Sequence, residues 1–224
     1  MDVAAIIVAA GRGRRLGKKT PKALVRLAGL PMFEHSLKTF SRIKEVEHIV
    51  LVIPPKGRFD KGKWRRRYPK LKSIVSGGRE RTDSVRAGLA AITGAAGHIL
   101  IHDAARPLVS IRDAAAVIRA VRRHGAAILA EPVADTVKRA ENGFIKATLN
   151  RKYLWRAQTP QGFNRRLLER ICRLPTESAT DDSSLAEALG ARVAVVPASG
   201  PNFKITTRTD LEIASCLLAK APSA

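Results

Sequence analysis

Short apolar runs recur along the chain at residues 4–9, 48–53, 73–75, 98–102, 126–130 and 192–196. Between them, over residues 31–43, 80–92, 111–124, 165–172 and 181–189, apolar positions fall at helical spacing, and a last such stretch runs from about 210 to 219. The first pattern predicts buried strands and the second predicts helices with one apolar face. Strands that alternate with helices predict an α/β domain, a mostly parallel sheet with helices on both faces. Ligands in such sheets sit beyond the carboxyl ends of the strands. The loops after Ala9, Val75 and Ile101 are therefore expected to face one site. Thr209 is expected to cap the final helix, with Glu212 completing a capping box.

Residues 135–147 break this rhythm. They carry Asn142-Gly143 between two short stretches of mixed polar and apolar residues. Asn-Gly is a strong hairpin signal, because a type I′ turn needs positive φ at both central positions. A hairpin this small has little core of its own. It is either an arm that packs on a second subunit or a flap.

The apolar run at 4–9 feeds a loop with Gly11, Gly13 and Gly17, which also holds Arg12, Arg14, Arg15, Lys18, Lys19 and Lys22. A buried strand that opens into a glycine-rich, cationic turn brings backbone N–H groups and positive charge to a phosphate chain. The loop matches neither G-x-x-x-x-G-K-[ST] nor G-x-G-x-x-G. It points to a nucleoside triphosphate held in some other way.

Composition adds limits. A chain of 224 residues, 45% of them hydrophobic, accommodates one α/β domain with a sizeable core. No apolar run approaches the ~20 residues of a membrane span, and no signal peptide is expected. Two cysteines, Cys172 and Cys216, fall in predicted helices. They are read as core filling in a reducing cytoplasm. The net charge of +22 favours anionic partners. Nucleic acid is one such class, but only 4% of residues are aromatic, and no nucleic-acid-binding signature is present. The basic run at 56–72 is read as a solvated helix or loop.

Further candidate chemistry lies in HDAARP, directly after the run at 98–102. Asp103 is placed to hold Mg²⁺ on a triphosphate, and Arg106 to grip a phosphate two-pronged. Gly78 permits close backbone approach to a flat ligand, and Ser84 offers a hydroxyl to a base or ribose. Lys204 is either a phosphate contact or an exposed lysine, and its spacing does not decide between them. His102 has no Cys or Ser partner and is read as a packing residue.

AAGRGRRLGKKTPKAL, GGRERTDSV, HDAARPLV, DTVK, NRKYLWRAQTPQGF, TDDSSLAEALG and NFKITTRTDL follow one another across nearly the whole chain. In these motifs and their order the chain resembles the 2-C-methyl-D-erythritol 4-phosphate cytidylyltransferases. The resemblance implies a Rossmann-like nucleotidyltransferase fold with an inserted hairpin arm at about 135–154 that builds a homodimer. It implies the reaction of CTP with methylerythritol phosphate, Mg²⁺ as cofactor and a cytoplasmic setting. By resemblance, Ala9, Ala10 and Gly11 hold CTP, helped by Gly78 and Ser84. Arg15 and Lys22 match the catalytic cations. Asp103, Arg106, Thr136, Arg151, Thr180 and Lys204 match substrate contacts, some of them from the neighbouring subunit. Asp103 also serves the metal, and Thr159 is a nearby binding or structural threonine.

Two positions depart from the family pattern. Arg79 stands where several relatives carry an acidic residue, and Asn202, after Pro201, where they often carry Asp. The alternatives are a ribitol 5-phosphate cytidylyltransferase and, from another class, a basic nucleic-acid-binding protein whose affinity falls steeply with salt.

Overall fold

A computed structural model describes residues 3–11, 22–55, 59–175 and 180–220. These residues build one seven-stranded sheet and two small hairpins. In chain order the elements begin with β1 (Val3–Val8), the short pair β2 (Arg26–Leu27) and β3 (Leu30–Pro31), α1 (Met32–Arg42), β4 (Val46–Ile53), α2 (Lys61–Arg67) and β5 (Leu71–Ser76). Next come α3 (Arg81–Ala90), β6 (His98–Asp103), α4 (Ile111–His124), β7 (Ala126–Pro132), β8 (Lys138–Glu141) and β9 (Phe144–Thr148). The chain finishes with β10 (Trp155–Asn164), α5 (Arg165–Ile171), α6 (Asp182–Ala188), β11 (Ala194–Pro197) and α7 (Arg208–Lys220).

The main sheet runs in the order β11-β7-β10-β6-β1-β4-β5. All its pairings are parallel except those of β10, which is antiparallel to both β6 and β7. The chain leaves β1 for β4 and β5 on one side and then crosses to β6 on the other. That reversal is the switch point at which open α/β sheets form a crevice.

Strand β1 is apolar throughout because both of its faces are covered. Val3, Ala5 and Ile7 pack with Phe33, Leu37 and Phe40 of α1 and Val117 and Val121 of α4. Ala4 and Ile6 face the other way, with Val85 of α3, Leu168 and Ile171 of α5, and Leu185 of α6. A smaller cluster joins Val25, Leu27, Met32, Ile205 and Ala214, which seats α7 against the β2–β3 hairpin. Among the described residues no helix is long and apolar enough to cross a membrane.

Several sequence expectations change. Strand β10 is not among the predicted strands, yet it lies mid-sheet between β6 and β7. Its sequence WRAQTPQGFN holds a proline, a glycine and five polar or charged residues, which hides the apolar signal of a strand. The cap of α7 is Thr207, not Thr209. The Thr207 hydroxyl accepts from Asp210 N–H at 3.1 Å, and Asp210 Oδ2 accepts from Thr207 N–H at 2.7 Å. Glu212 instead pairs with Arg208 at 3.1 Å. Cys216 is exposed and fills no core. Within the basic run, α2 is a helix capped by Asp60, whose Oδ1 accepts from Lys63 N–H at 2.9 Å.

The hairpin is present. Asn142 and Gly143 have φ of 51° and 80° and join β8 to β9. Nearly all of it is exposed, including Phe144, Ile145 and, just beyond it, Tyr153.

Candidate active site

Three loops leave the carboxyl edge of the sheet side by side. The register sets Val8 of β1 beside Val52 of β4 and Asp103 of β6. Residues 9–11, 78–81 and 103–105, together with Lys22 and Lys204, line a cavity of about 800 Å³. That volume suits a nucleotide-sized ligand. Ala9, Ala10, Gly11, Gly78, Ser84, Lys22, Asp103 and Lys204, all expected from sequence, meet on this one cavity. Arg15 lies outside the described residues.

Glycine is required at specific points of the wall. A Cβ on Gly77 would sit 2.5 Å from both Ala10 Cβ and Ser84 Oγ. One on Gly78 would sit 2.2 Å from Asp83 Cβ. These glycines let the β1 loop, the β5 loop and the first turn of α3 close on one another. At Gly11 the case is opposite, since a Cβ there would meet no atom of the described residues within 4 Å. The Ala9 N–H is already given to Val52 O at 2.7 Å, so it is not a donor for a nucleotide. Ser84 is buried, and its hydroxyl donates to Glu80 O at 3.2 Å.

A charged chain crosses the cavity floor. Lys204 Nζ donates to Asp103 Oδ2 at 2.6 Å. Arg81 Nε donates to Asp103 Oδ1 at 3.0 Å, and Arg81 Nη1 donates to Asp182 Oδ2 at 2.6 Å. Burial opposes charge on Asp103, but Arg81 and Lys204 outweigh it and hold the carboxyl well below the usual carboxylate range. On Asp182 burial prevails over Arg81, and the carboxyl is pushed up. Burial also works against the Arg81 charge, but its two carboxylates overcome it and raise its pKa. Arg81 was not singled out from sequence. The available signal was a cation in the first turn of a helix, where the dipole disfavours it unless carboxylates lie near.

The metal role expected of Asp103 does not fit its surroundings. Its two oxygens are each engaged by a cation, so its charge is already neutralised by Arg81 and Lys204 rather than directed at a metal. Among the described residues no group of three or more His, Cys, Asp or Glu converges as a ligand set. The protein side of the cavity does not fit a dedicated metal cage.

Behind Asp103 lies a fully satisfied relay. Asp103 N–H donates to Thr159 Oγ1 at 3.0 Å, and Thr159 Oγ1 lies 3.1 Å from His102 Nδ1. His102 Nε2 faces Arg106 O at 3.1 Å. The carbonyl requires Nε2–H, so Nδ1 accepts the threonine proton. Burial pushes the His102 pKa down to about 4, which keeps the ring neutral. Thr159 is buried, with its hydroxyl on Asp103 N–H and its carbonyl accepting from Asn202.

Arg106 is partly committed, to two backbone carbonyls. Its Nη1 donates to Asn202 O at 2.8 Å and its Nη2 to Ala157 O at 3.3 Å. It ties the 202–205 loop to β10, and its buried Nε has no hydrogen-bond partner among the described residues. Asn202 adds bonds to Gln158 Oε1 at 2.8 Å and Thr159 O at 2.9 Å. Lys204 is held next to that anchor.

Thr136, Arg151 and Thr180 are exposed and do not line the cavity. Arg151 donates to Ala134 O within the arm. Thr180 directly precedes Asp181, the cap of α6, whose Oδ2 is held by Gln161 Nε2 at 2.7 Å.

Comparison with known proteins adds the following. The model of a family described as 2-C-methyl-D-erythritol 4-phosphate cytidylyltransferase matches residues 3–220. A protein of that name from Pelotomaculum thermopropionicum is 42% identical over 224 residues, covering 96% of this chain and 94% of the relative. A bifunctional enzyme IspD/IspF from Rhodospirillum rubrum is 44% identical over 217 residues, covering 96% of this chain and 56% of that longer protein. The crystal structure of 2-C-methyl-D-erythritol 4-phosphate cytidylyltransferase from Thermus thermophilus superposes with a TM-score of 0.80 at 32% identity, covering 98% of this chain and 100% of that one.

Proposed function

The chain belongs to the 2-C-methyl-D-erythritol 4-phosphate cytidylyltransferase family, and from that premise we propose how its cavity serves the reaction. The activity is CTP-dependent cytidylyl transfer to 2-C-methyl-D-erythritol 4-phosphate, a step of the non-mevalonate isoprenoid route. An oxygen of the acceptor phosphate attacks the α-phosphorus of CTP. The bond from that phosphorus to the bridging oxygen breaks, and pyrophosphate leaves with the electron pair.

The acceptor phosphate is already anionic near neutral pH, so no strong base is needed. The obstacle is repulsion between two polyanions and the charge that builds on phosphorus. Fixed cations in a partly enclosed site relieve both. The observation that carries this reading is the convergence of Lys22, Lys204 and Arg81 on one glycine-walled cavity at the switch point. Cytidine lies against residues 9–11 and 78 of this cavity. Lys22, with Arg15, meets the triphosphate. Asp103 holds Lys204 in place rather than a metal. Mg²⁺ enters as part of the CTP substrate.

Thr136 and Arg151 stand too far along the arm to line their own chain's cavity. They serve the site of a second copy in a homodimer. The exposed Phe144, Ile145 and Tyr153 of the arm region give that contact its apolar surface.

The test is pyrophosphate release from CTP or ATP, with methylerythritol phosphate or ribitol 5-phosphate as acceptor. CTP with methylerythritol phosphate is expected to give the highest kcat/KM. The variant Lys22→Ala is expected to lose about 10²–10³ in kcat with little change in thermal stability. Near-normal turnover in folded Lys22→Ala would remove the role given to Lys22.

A further inference from the structure

A second cavity, of about 750 Å³, opens at the opposite edge of the sheet. It lies where β6, β7 and β11 begin and β10 ends. The backbone there is tied down, with Asn164 N–H donating to Gly125 O at 2.7 Å and Arg165 N–H to Gly97 O at 2.9 Å. Four arginines line it, Arg165, Arg166, Arg170 and Arg192, along with His124. Among the described residues no carboxylate does. The nearby Glu169 is taken up by Arg165 Nε at 3.0 Å, and Arg165 Nη1 is held by Gly94 O at 2.8 Å.

Arg166, Arg170 and Arg192 are exposed, and among the described residues none of them forms an ion pair. Arg166 and Arg170 are four residues apart on α5 and therefore share a face. Asn164 Oδ1 accepts from Leu167 N–H at 2.8 Å, which leaves the side-chain N–H₂ as a neutral donor at the cavity wall.

Cations gathered without carboxylates repel one another unless an anion lies between them. Guanidinium groups match phosphate oxygens in pairs. The cavity is shallow and open to solvent, and its volume is large enough for a phosphate chain. We propose that this cavity is a second anion site that binds a polyphosphate chain, free or carried on a nucleotide, at the far edge of the sheet from the catalytic cavity. The inference rests on this geometry alone and stands apart from the reading of the catalytic site. A site of this kind absorbs part of the +22 charge that the reaction itself does not use.

The experiment is calorimetric titration of the full chain with inorganic triphosphate and, separately, with ATP. The triple variant Arg166→Ser/Arg170→Ser/Arg192→Ser is titrated alongside. It is expected to bind one equivalent less per chain than the unaltered protein, while its pyrophosphate release from CTP stays normal and shows that it is folded. Arg192→Ser alone is expected to weaken that equivalent by at least about tenfold, as loss of a charge-assisted phosphate contact does. Loss of the equivalent for both probes supports a site that reads the phosphate chain. Loss for ATP alone supports a site that reads nucleotide polyphosphate. Equal stoichiometry and affinity in variant and unaltered protein for both probes would overturn the proposal.

Discussion

Replacing Arg81 with Met removes both of its ion pairs at once. Asp103 keeps Lys204 at 2.6 Å. Asp182, whose side chain is 1% exposed, loses its salt bridge to Arg81. Breaking a buried pair from one side costs about 3–5 kcal/mol. The Arg81 side chain is 27% exposed, so water screens part of the interaction and the low end applies, about 3 kcal/mol. For a chain of this size that lowers Tm by roughly 6–12 °C. The pH dependence has a definite sign. Asp182 is already raised above its unfolded value, and losing Arg81 raises it further. A carboxyl that is raised in the folded state binds more protons folded than unfolded, so stability falls as pH rises through that interval. The deficit of Arg81→Met is therefore expected to shrink between pH 7 and pH 5. Asp103 has the opposite sign. Its contribution is present above the ordinary carboxylate range and is lost only as pH falls below it, outside this window. Thermal unfolding followed by circular dichroism at several pH values reads both effects. A Tm change under about 2 °C, or a deficit that grows on acidification, would refute the assignment of Asp182 as a buried charge that depends on Arg81.

Gly77→Ala forces a Cβ to within 2.5 Å of Ala10 and Ser84. It is expected to cost about 1–3 kcal/mol and to raise KM for CTP more than it lowers kcat, as steady-state kinetics would show. Replacing Phe144 and Tyr153 together by Ser removes large exposed apolar surface from the arm. Sedimentation is expected to show weaker self-association, with cavity residues untouched, and undiminished association would move the dimer contact elsewhere.

The parallel strands were legible because burial on both faces makes them continuous apolar runs, as in VAAIIV of β1. The carboxyl-edge site followed from that, as did the glycine positions. Strand β10 was hidden because its structural work is done by Gln158, Thr159 and Gln161, polar residues whose partners come from 20 or more positions away in the chain. The partners of Arg106 and Asp103 were hidden for a related reason. Sequence shows which charges lie near a strand end but not which of their atoms are already engaged, and here Asn202 O, Ala157 O, Arg81 and Lys204 occupy them. The hairpin was legible because Asn142-Gly143 encodes its turn locally.

Strand β10 touches every part of the molecule to which a role is given above. It starts at Trp155 beside the arm, passes Thr159 behind Asp103, and ends at Asn164 on the arginine-lined cavity. The strand does so in two stretches. Trp155, Arg156 and Ala157 pair with Pro132, Glu131 and Ala130, and Gln161, Gly162 and Phe163 pair with Ile128, Ala127 and Ala126, with an irregularity between them that sets Thr159 behind Asp103. Gln161 and Phe163 are in register with Ile101 and Ile99 of β6. Deleting one residue from the second stretch would slip that register and turn its side chains to the opposite faces. Either the arm or the Phe163 core would then be out of place. Point changes along β10 are local, but its length is a property of the whole protein.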